Sequence, residues 1–390
     1  MYHLHEGMQN ALTAIEGRDL HLLIFSAECL SEGYGSATAL RTFIDAALEY
    51  SSWRLTLVVP RSAQDGQANA ASRVRVLSIP RLGIRNRRGQ ILGYAMLGSW
   101  RIMTESISKP NVVISWQPIP AGAMGALASK LYRVPHIVRT CGPELARQWS
   151  RFPLITLASK PLTKRLLRGA DAVVIKSKLE RALIDRYVIE QRAHLIPNAV
   201  GRQFFVTPRG HDDTTTRFLT VCQLESHKGV KKLIAAFATV TSKISKQCSL
   251  TIVGDGSQRS HLQRAALATN ADIKFLGRVP HTRIPDLYAS HDVFILPSVM
   301  EGCSNATLEA AAAGLAVIGT RTAVGDLVDD GVNGMLSRAA DEPSLAEAIE
   351  RFLALDSQRE SMRAAARRTV EIHHPERLLR SYGELLASLC

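Results

Sequence analysis

"DVFILPSVMEGCSNATLEAAAAGLAVIGT", residues 292–320, decides how this chain is read. An apolar run over 292–298 reads as a strand. A short polar turn follows, then an alanine-rich helix starting near Ser304. A second apolar run over 315–320 reads as another strand. Strand, helix and strand in that order make a parallel crossover. The backbone N–H groups at the helix start then lie at the carboxyl edge of a sheet. Ligands of α/β proteins bind there, and a helix N-terminus attracts phosphate.

The same alternation recurs on both sides of this stretch. Before residue 200, strand signals stand at 20–28, 54–59, 74–79, 111–116, 136–140, 172–177 and 193–198. Helical patterns occupy 37–50, 90–107, 121–132, 157–169 and 178–187. The pattern restarts with a strand at 217–224 and continues through "CSLTIVGDG" and "DIKFLGRV". It predicts two doubly wound α/β units, 1–200 and 201–374, with parallel sheets covered on both faces. They meet in a Pro-, Gly- and polar-rich linker near 198–215. The final stretch, 375–389, is an amphipathic helix by its leucine spacing.

With 390 residues the chain suits two domains rather than one core. No run of eighteen apolar residues predicts a membrane span, and the first residues lack the order of a secretory signal. Six scattered cysteines without a C-x-x-C pair fit a reducing compartment, so a cytoplasmic location is expected. The net charge of +13 is uneven. Residues 1–200 carry 26 Lys and Arg against 14 Asp and Glu, with clusters at 81–89 and 159–169. A solvated face explains such charge, and so does an anionic partner such as a membrane surface. Nucleic acid is not expected, because no nucleic-acid-binding motif accompanies the charge.

The chemistry concentrates in the second half. Gly302 lets the backbone approach a ligand. Glu309, about one and a half turns into the helix, is within reach of ribose hydroxyls below a phosphate. Glu301, on the loop, reaches the group beyond the phosphates. Two glutamates at this spacing are common on ordinary solvated surfaces, so context decides. Lys228, beside Gly229 between a strand and a helix, is placed to neutralise a diphosphate. Gly254, Gly256 and Gly277 mark two further turns after strands, so four loops converge on one sheet edge.

Together "VCQLESHKGVKKLIAAF", "LTIVGDGSQRSHLQRAA", "IKFLGRVP", "EGCSNATLEAAAAG" and "DLVDDGVNGML" resemble the retaining glycosyltransferases of family 4, of GT-B fold. The resemblance is dense over 217–338. It implies two Rossmann-like domains facing a central cleft, with the nucleotide sugar on the second, the acceptor on the first, and the last helix, 375–390, packed back on the first. By position it assigns Glu309 to the ribose, Lys228 to the diphosphate and Glu301 to the donor sugar. It places the backbone of Gly302, Cys303, Ser304 and Asn305 against sugar hydroxyls and phosphate, and Arg278 beside the base. Gly35 and Ser36, in "EGYGS", match the loop that approaches the donor phosphate from the first domain.

Two positions depart from the family pattern. Gln223 stands where an arginine often completes the diphosphate clamp, and Cys141 where a histidine often meets donor or acceptor. Arg139 and Glu144 are the candidates to replace the latter. No Asp-x-Asp occurs, so a metal-independent, hexosyltransferase-like reaction without cofactor is expected. The donor would be UDP- or GDP-linked. The acceptor would be a lipid-linked or surface glycan, with the enzyme peripheral at the inner membrane face. Alternatives from other classes are a nicotinamide dehydrogenase, for which "GYGSAT" lacks a third glycine, and a GT-B binding protein without turnover. A sugar epimerase or phosphorylase and a soluble small-molecule acceptor stay open.

Overall fold

The computed structural model describes residues 19–29, 35–61, 73–80, 87–140, 153–185, 188–206, 215–355 and 358–390, with the backbone alone at 87–92, 95 and 153–159. The chain divides into two compact units, residues 1–198 with 375–390, and residues 199–374.

In the first unit the elements run β1 (His21–Phe25), α1 (Ser36–Tyr50), β2 (Arg54–Pro60), β3 (Val74–Ile79), α2 (Arg87–Thr104) and β4 (Val112–Ser115). They continue α3 (Ala121–Tyr132), β5 (His136–Arg139), α4 (Pro153–Gly169), β6 (Ala172–Ile175), α5 (Lys178–Ile184) and β7 (Ala193–Leu195). The strands form one parallel sheet in the order β3-β2-β1-β4-β5-β6-β7. β1, β4, β5 and β6 are buried along their whole length. Continuous apolar runs such as "HLLIF" and "AVVI" are what a sheet covered on both faces requires.

The second unit runs β8 (Thr215–Val221), α6 (Val230–Thr241), β9 (Gln247–Val253), α7 (Arg259–Leu267), β10 (Asp272–Gly277), α8 (Ile284–Ala289) and β11 (Val293–Leu296). It continues α9 (Asn305–Ala312), β12 (Ala316–Thr320), α10 (Arg321–Val324), β13 (Gly334–Ser337), α11 (Glu342–Leu353) and α12 (Arg359–Thr369). Its parallel sheet has the order β10-β9-β8-β11-β12-β13. One apolar layer gathers Phe218, Phe237, Ile295 and Phe352. The opposite layer gathers Leu219, Tyr288, Phe294 and Leu308.

Helix α13 (Pro375–Leu389) belongs to the first unit. Its Pro375, Leu378, Leu379 and Tyr382 are buried, the i, i+3, i+4, i+7 set of one helix face, and Leu385 and Leu386 extend it. Tyr382 meets the Phe43 ring of α1 at 4.9 Å between centroids. Among the described residues no helix is long and apolar enough to cross a membrane.

Candidate active site

At the carboxyl edge of the second sheet, the loop after β8 turns into α6 through Gly229, which has φ 72°. A Cβ there would lie 2.1 Å from the Pro297 carbonyl oxygen. Only glycine permits both the left-handed backbone and that approach. Val299 N–H donates to His227 O at 3.3 Å, which ties the loop after β11 to the loop carrying Lys228. The Lys228 ammonium thereby meets Glu301 Oε1 at 2.6 Å, with about a sixth of each side chain exposed.

Helix α9 starts beside this pair. Ser304 caps it, its Oγ accepting from Thr307 N–H at 3.3 Å. The cap satisfies one of the four orphan N–H groups of the first turn. Gly302 and Cys303 are half-buried, and Cys303 packs on the apolar layer beneath.

Glu309 lies farther along α9 and is only 6% exposed. Tyr288 OH donates to its Oε2 at 3.1 Å, and His281 Nε2 stands 3.3 Å from Oε1. Phe204 packs edge-on against the rings of both His281 and Tyr288. Burial, and then the Glu309 charge, push the Tyr288 hydroxyl well above its ordinary value. It therefore stays protonated and serves as a fixed donor to the carboxylate.

The glycine turns after β9 and β10 lie along the same edge. Gly254 has φ 135°, and a Cβ there would sit 1.9 Å from the Cys222 carbonyl oxygen. Its N–H donates to Gly277 O at 2.8 Å, and exposed Arg278 follows Gly277. Gln223 is exposed, while the Cys222 thiol next to it is buried. Burial raises that thiol to about 11, against the opposing pull of Lys228, so no thiolate competes beside the ammonium. Among the described residues no three His, Cys, Asp or Glu side chains gather to hold a metal ion.

The second unit thus brings Lys228, Glu301, Gly302, Cys303, Ser304, Asn305, Glu309 and Arg278 to one edge. Gly35 and Ser36 lie in the first unit. Gly35 has φ 61° with open space where a Cβ would go, so conformation rather than crowding calls for glycine. Ser36 Oγ donates to the Glu28 carboxylate and accepts from Gln117 Nε2 at 3.0 Å.

Cys141 and Glu144 fall outside the described residues. Arg139 is a correction. It is 1% exposed, its guanidinium lies 4.5 Å from the Trp116 ring centroid, and it donates to Asn198. Held this deeply, its guanidinium does not lie open to an acceptor. Sequence reasoning missed Tyr288, His281, Glu28 and Gln117. The one available signal was Tyr288 itself, since a buried tyrosine hydroxyl must find a partner.

Family models match in both halves: "Glycosyl transferases group 1" over 215–355 and "Glycosyl transferase 4-like domain" over 43–199. The chain belongs to the GT4-like, group 1 glycosyltransferases. A GDP-mannose-dependent alpha-mannosyltransferase of Corynebacterium glutamicum is 26% identical over 299 residues, 71% of this chain and 68% of that protein. The lipopolysaccharide core biosynthesis glycosyltransferase LpsE of Rhizobium meliloti is 25% identical, with 66% and 79% covered. Among solved structures, sucrose-phosphate synthase from Thermosynechococcus elongatus superposes with a TM-score of 0.78 at 17% identity, covering 95% and 99%. HepE of Anabaena, solved with UDP and glucose, gives 0.76 at 18% identity, covering 95% and 100%. The fold of this glycosyltransferase is GT-B.

Proposed function

We propose that this glycosyltransferase moves a hexose from a nucleotide-diphosphate sugar to an acceptor hydroxyl, with retention at the anomeric carbon and without metal. The observation that carries the reading is the convergence of Lys228, the Ser304-capped start of α9 and Glu309 on one sheet edge. In the reaction the bond from sugar C1 to the β-phosphate oxygen breaks, and its electron pair goes to the leaving diphosphate. The acceptor oxygen bonds to C1, and its proton passes to the departing phosphate. Lys228 and the α9 amides oppose the charge growing on that leaving group. Glu309 accepts from the ribose hydroxyls, and Glu301 stands beside the donor sugar while orienting the Lys228 ammonium.

The GDP-mannose dependence of the mannosyltransferase relative and the UDP bound to HepE support a UDP- or GDP-linked sugar as donor. A lipid-linked or surface glycan is the acceptor, in keeping with the lipopolysaccharide-core relative. A thermal-shift screen with UDP, GDP, ADP and their sugars, run with a chelator present, tests the donor half. One nucleoside diphosphate at a hundredfold excess over its Kd should stabilise the chain by about 2.7 kcal/mol. No stabilisation by any of them refutes the reading.

A further inference from the structure

Helices α2, α3 and α4 form one layer on the first sheet, α3 packing against both neighbours. Gly98 of α2 sits against Met124 of α3, and Gly122 of α3 faces Leu166 of α4. The inward stripes are buried, as expected. The outward face is not an ordinary solvated one. Met96, Trp100 and Met103 on α2 are 65%, 56% and 64% exposed, and their spacing of four and three residues puts them on one stripe. Leu127 and Leu131 repeat one turn apart on α3, and Leu162 is exposed on α4. Six large apolar side chains on three adjacent helices make a patch rather than scattered exposures.

Positive charge borders the patch. Lys130 and Arg133 are exposed at the end of α3, and Lys160, Arg165 and Arg168 on α4. Glu105, the acid at the end of α2, is already neutralised by Arg75 and Arg101. From residue 106 to 170 the sequence has ten Lys and Arg and a single acid, Glu144.

We propose that this face docks on the surface of an anionic lipid bilayer. Trp100, the methionines and the leucines enter the boundary between headgroups and acyl chains, and the Lys and Arg side chains lie among lipid phosphates. Charge of one sign spread along the face argues against a second copy of this chain, which would meet it with like charge. The docking gives a lipid-borne acceptor its place and to that extent rests on the proposed function, but membrane binding is read without donor or transfer.

The test is co-sedimentation of the full chain with phosphatidylcholine vesicles, with and without phosphatidylglycerol, at low and high ionic strength. Wild type should bind the anionic vesicles, release them as salt rises, and ignore the zwitterionic ones. Lys160→Glu with Arg165→Glu, and separately Met96→Ser with Trp100→Ser, should each lower partitioning about tenfold or more, with the melting temperature unchanged. No binding at low salt, or equal binding by wild type and variants, overturns the proposal. So does a dimer seen by light scattering that Trp100→Ser dissolves. Vesicle binding by a chain that no nucleoside diphosphate stabilises leaves the docking standing and removes the donor reading. The converse result leaves the donor reading and removes the docking.

Discussion

Lys228 Nζ lies 2.6 Å from Glu301 Oε1 across 73 positions of sequence, at the edge where α9 begins. Neither side chain is deeply buried, so this contact is not a core ion pair. It presents an ammonium with two remaining N–H donors, aimed by a carboxylate at its back. Lys228→Ala should lower kcat by about a hundredfold, the cost of one lost transition-state donor. Glu301→Gln keeps the shape and removes the charge, so it should reduce turnover with little loss of stability. Steady-state kinetics with the preferred donor, alongside thermal denaturation, checks both.

Tyr288→Phe removes the donor on Glu309 Oε2 and leaves that oxygen poorly satisfied in a buried site. Stability should fall by about 1–2 kcal/mol. Nucleoside diphosphate affinity should fall several-fold, because the carboxylate loses its fixed orientation. Urea denaturation and calorimetric titration read the two effects separately. A variant equal to wild type in both removes Tyr288 as the residue that positions Glu309.

Gly229→Ala places a Cβ on the Pro297 carbonyl at a left-handed position. The strain alone is about 1–3 kcal/mol, and the clash adds to it by pushing the β11 loop away from the Lys228 loop. A lower unfolding midpoint together with lost turnover is expected. Gly331→Ala also suffers positive-φ strain but has open space, so it should cost less and leave turnover intact.

His136 gives a pH dependence with a definite sign. Its ring is buried on β5 with Nε2 2.8 Å from Ser115 Oγ. Burial lowers it from 6.5 to about 4, against the opposing charge of Asp171. The unfolded chain therefore binds a proton at higher pH than the folded one. Above about pH 6.5 His136 contributes no slope. As pH falls from 6.5 towards 4 the first unit loses stability, in total about 3 kcal/mol. Denaturation midpoints across that range should fall for wild type and flatten in His136→Gln.

Much of this fold is legible in the sequence because β1, β4, β6 and β11 are continuous apolar runs between glycine or polar turns. Ser304 and Gly302 mark the start of α9 by capping and backbone chemistry, which act locally. The region 321–374 gave no such signal. β13, "GMLS", holds only two large apolar residues, and α12, "RESMRAAARRT", is strongly charged although Met362 and Ala366 are buried. Arg139 misled for a related reason. A strand-end arginine looks available until Trp116, just past the end of neighbouring β4, is seen beneath its guanidinium. The contact of Tyr288 with Glu309 spans 21 positions and exists only once α8 and α9 pack.

The ribose assignment can be isolated by titrating wild type and Glu309→Ala with a stabilising nucleoside diphosphate and with its 2′,3′-dideoxy counterpart. Wild type should bind the ribose form at least about tenfold more tightly, as expected for charge-assisted hydrogen bonds lost from a shielded site. Glu309→Ala should bind both forms equally, at the affinity wild type shows for the dideoxy compound. If Glu309→Ala still prefers the ribose form as strongly as wild type does, Glu309 does not hold the pentose, and the donor does not lie along the edge shared with Lys228.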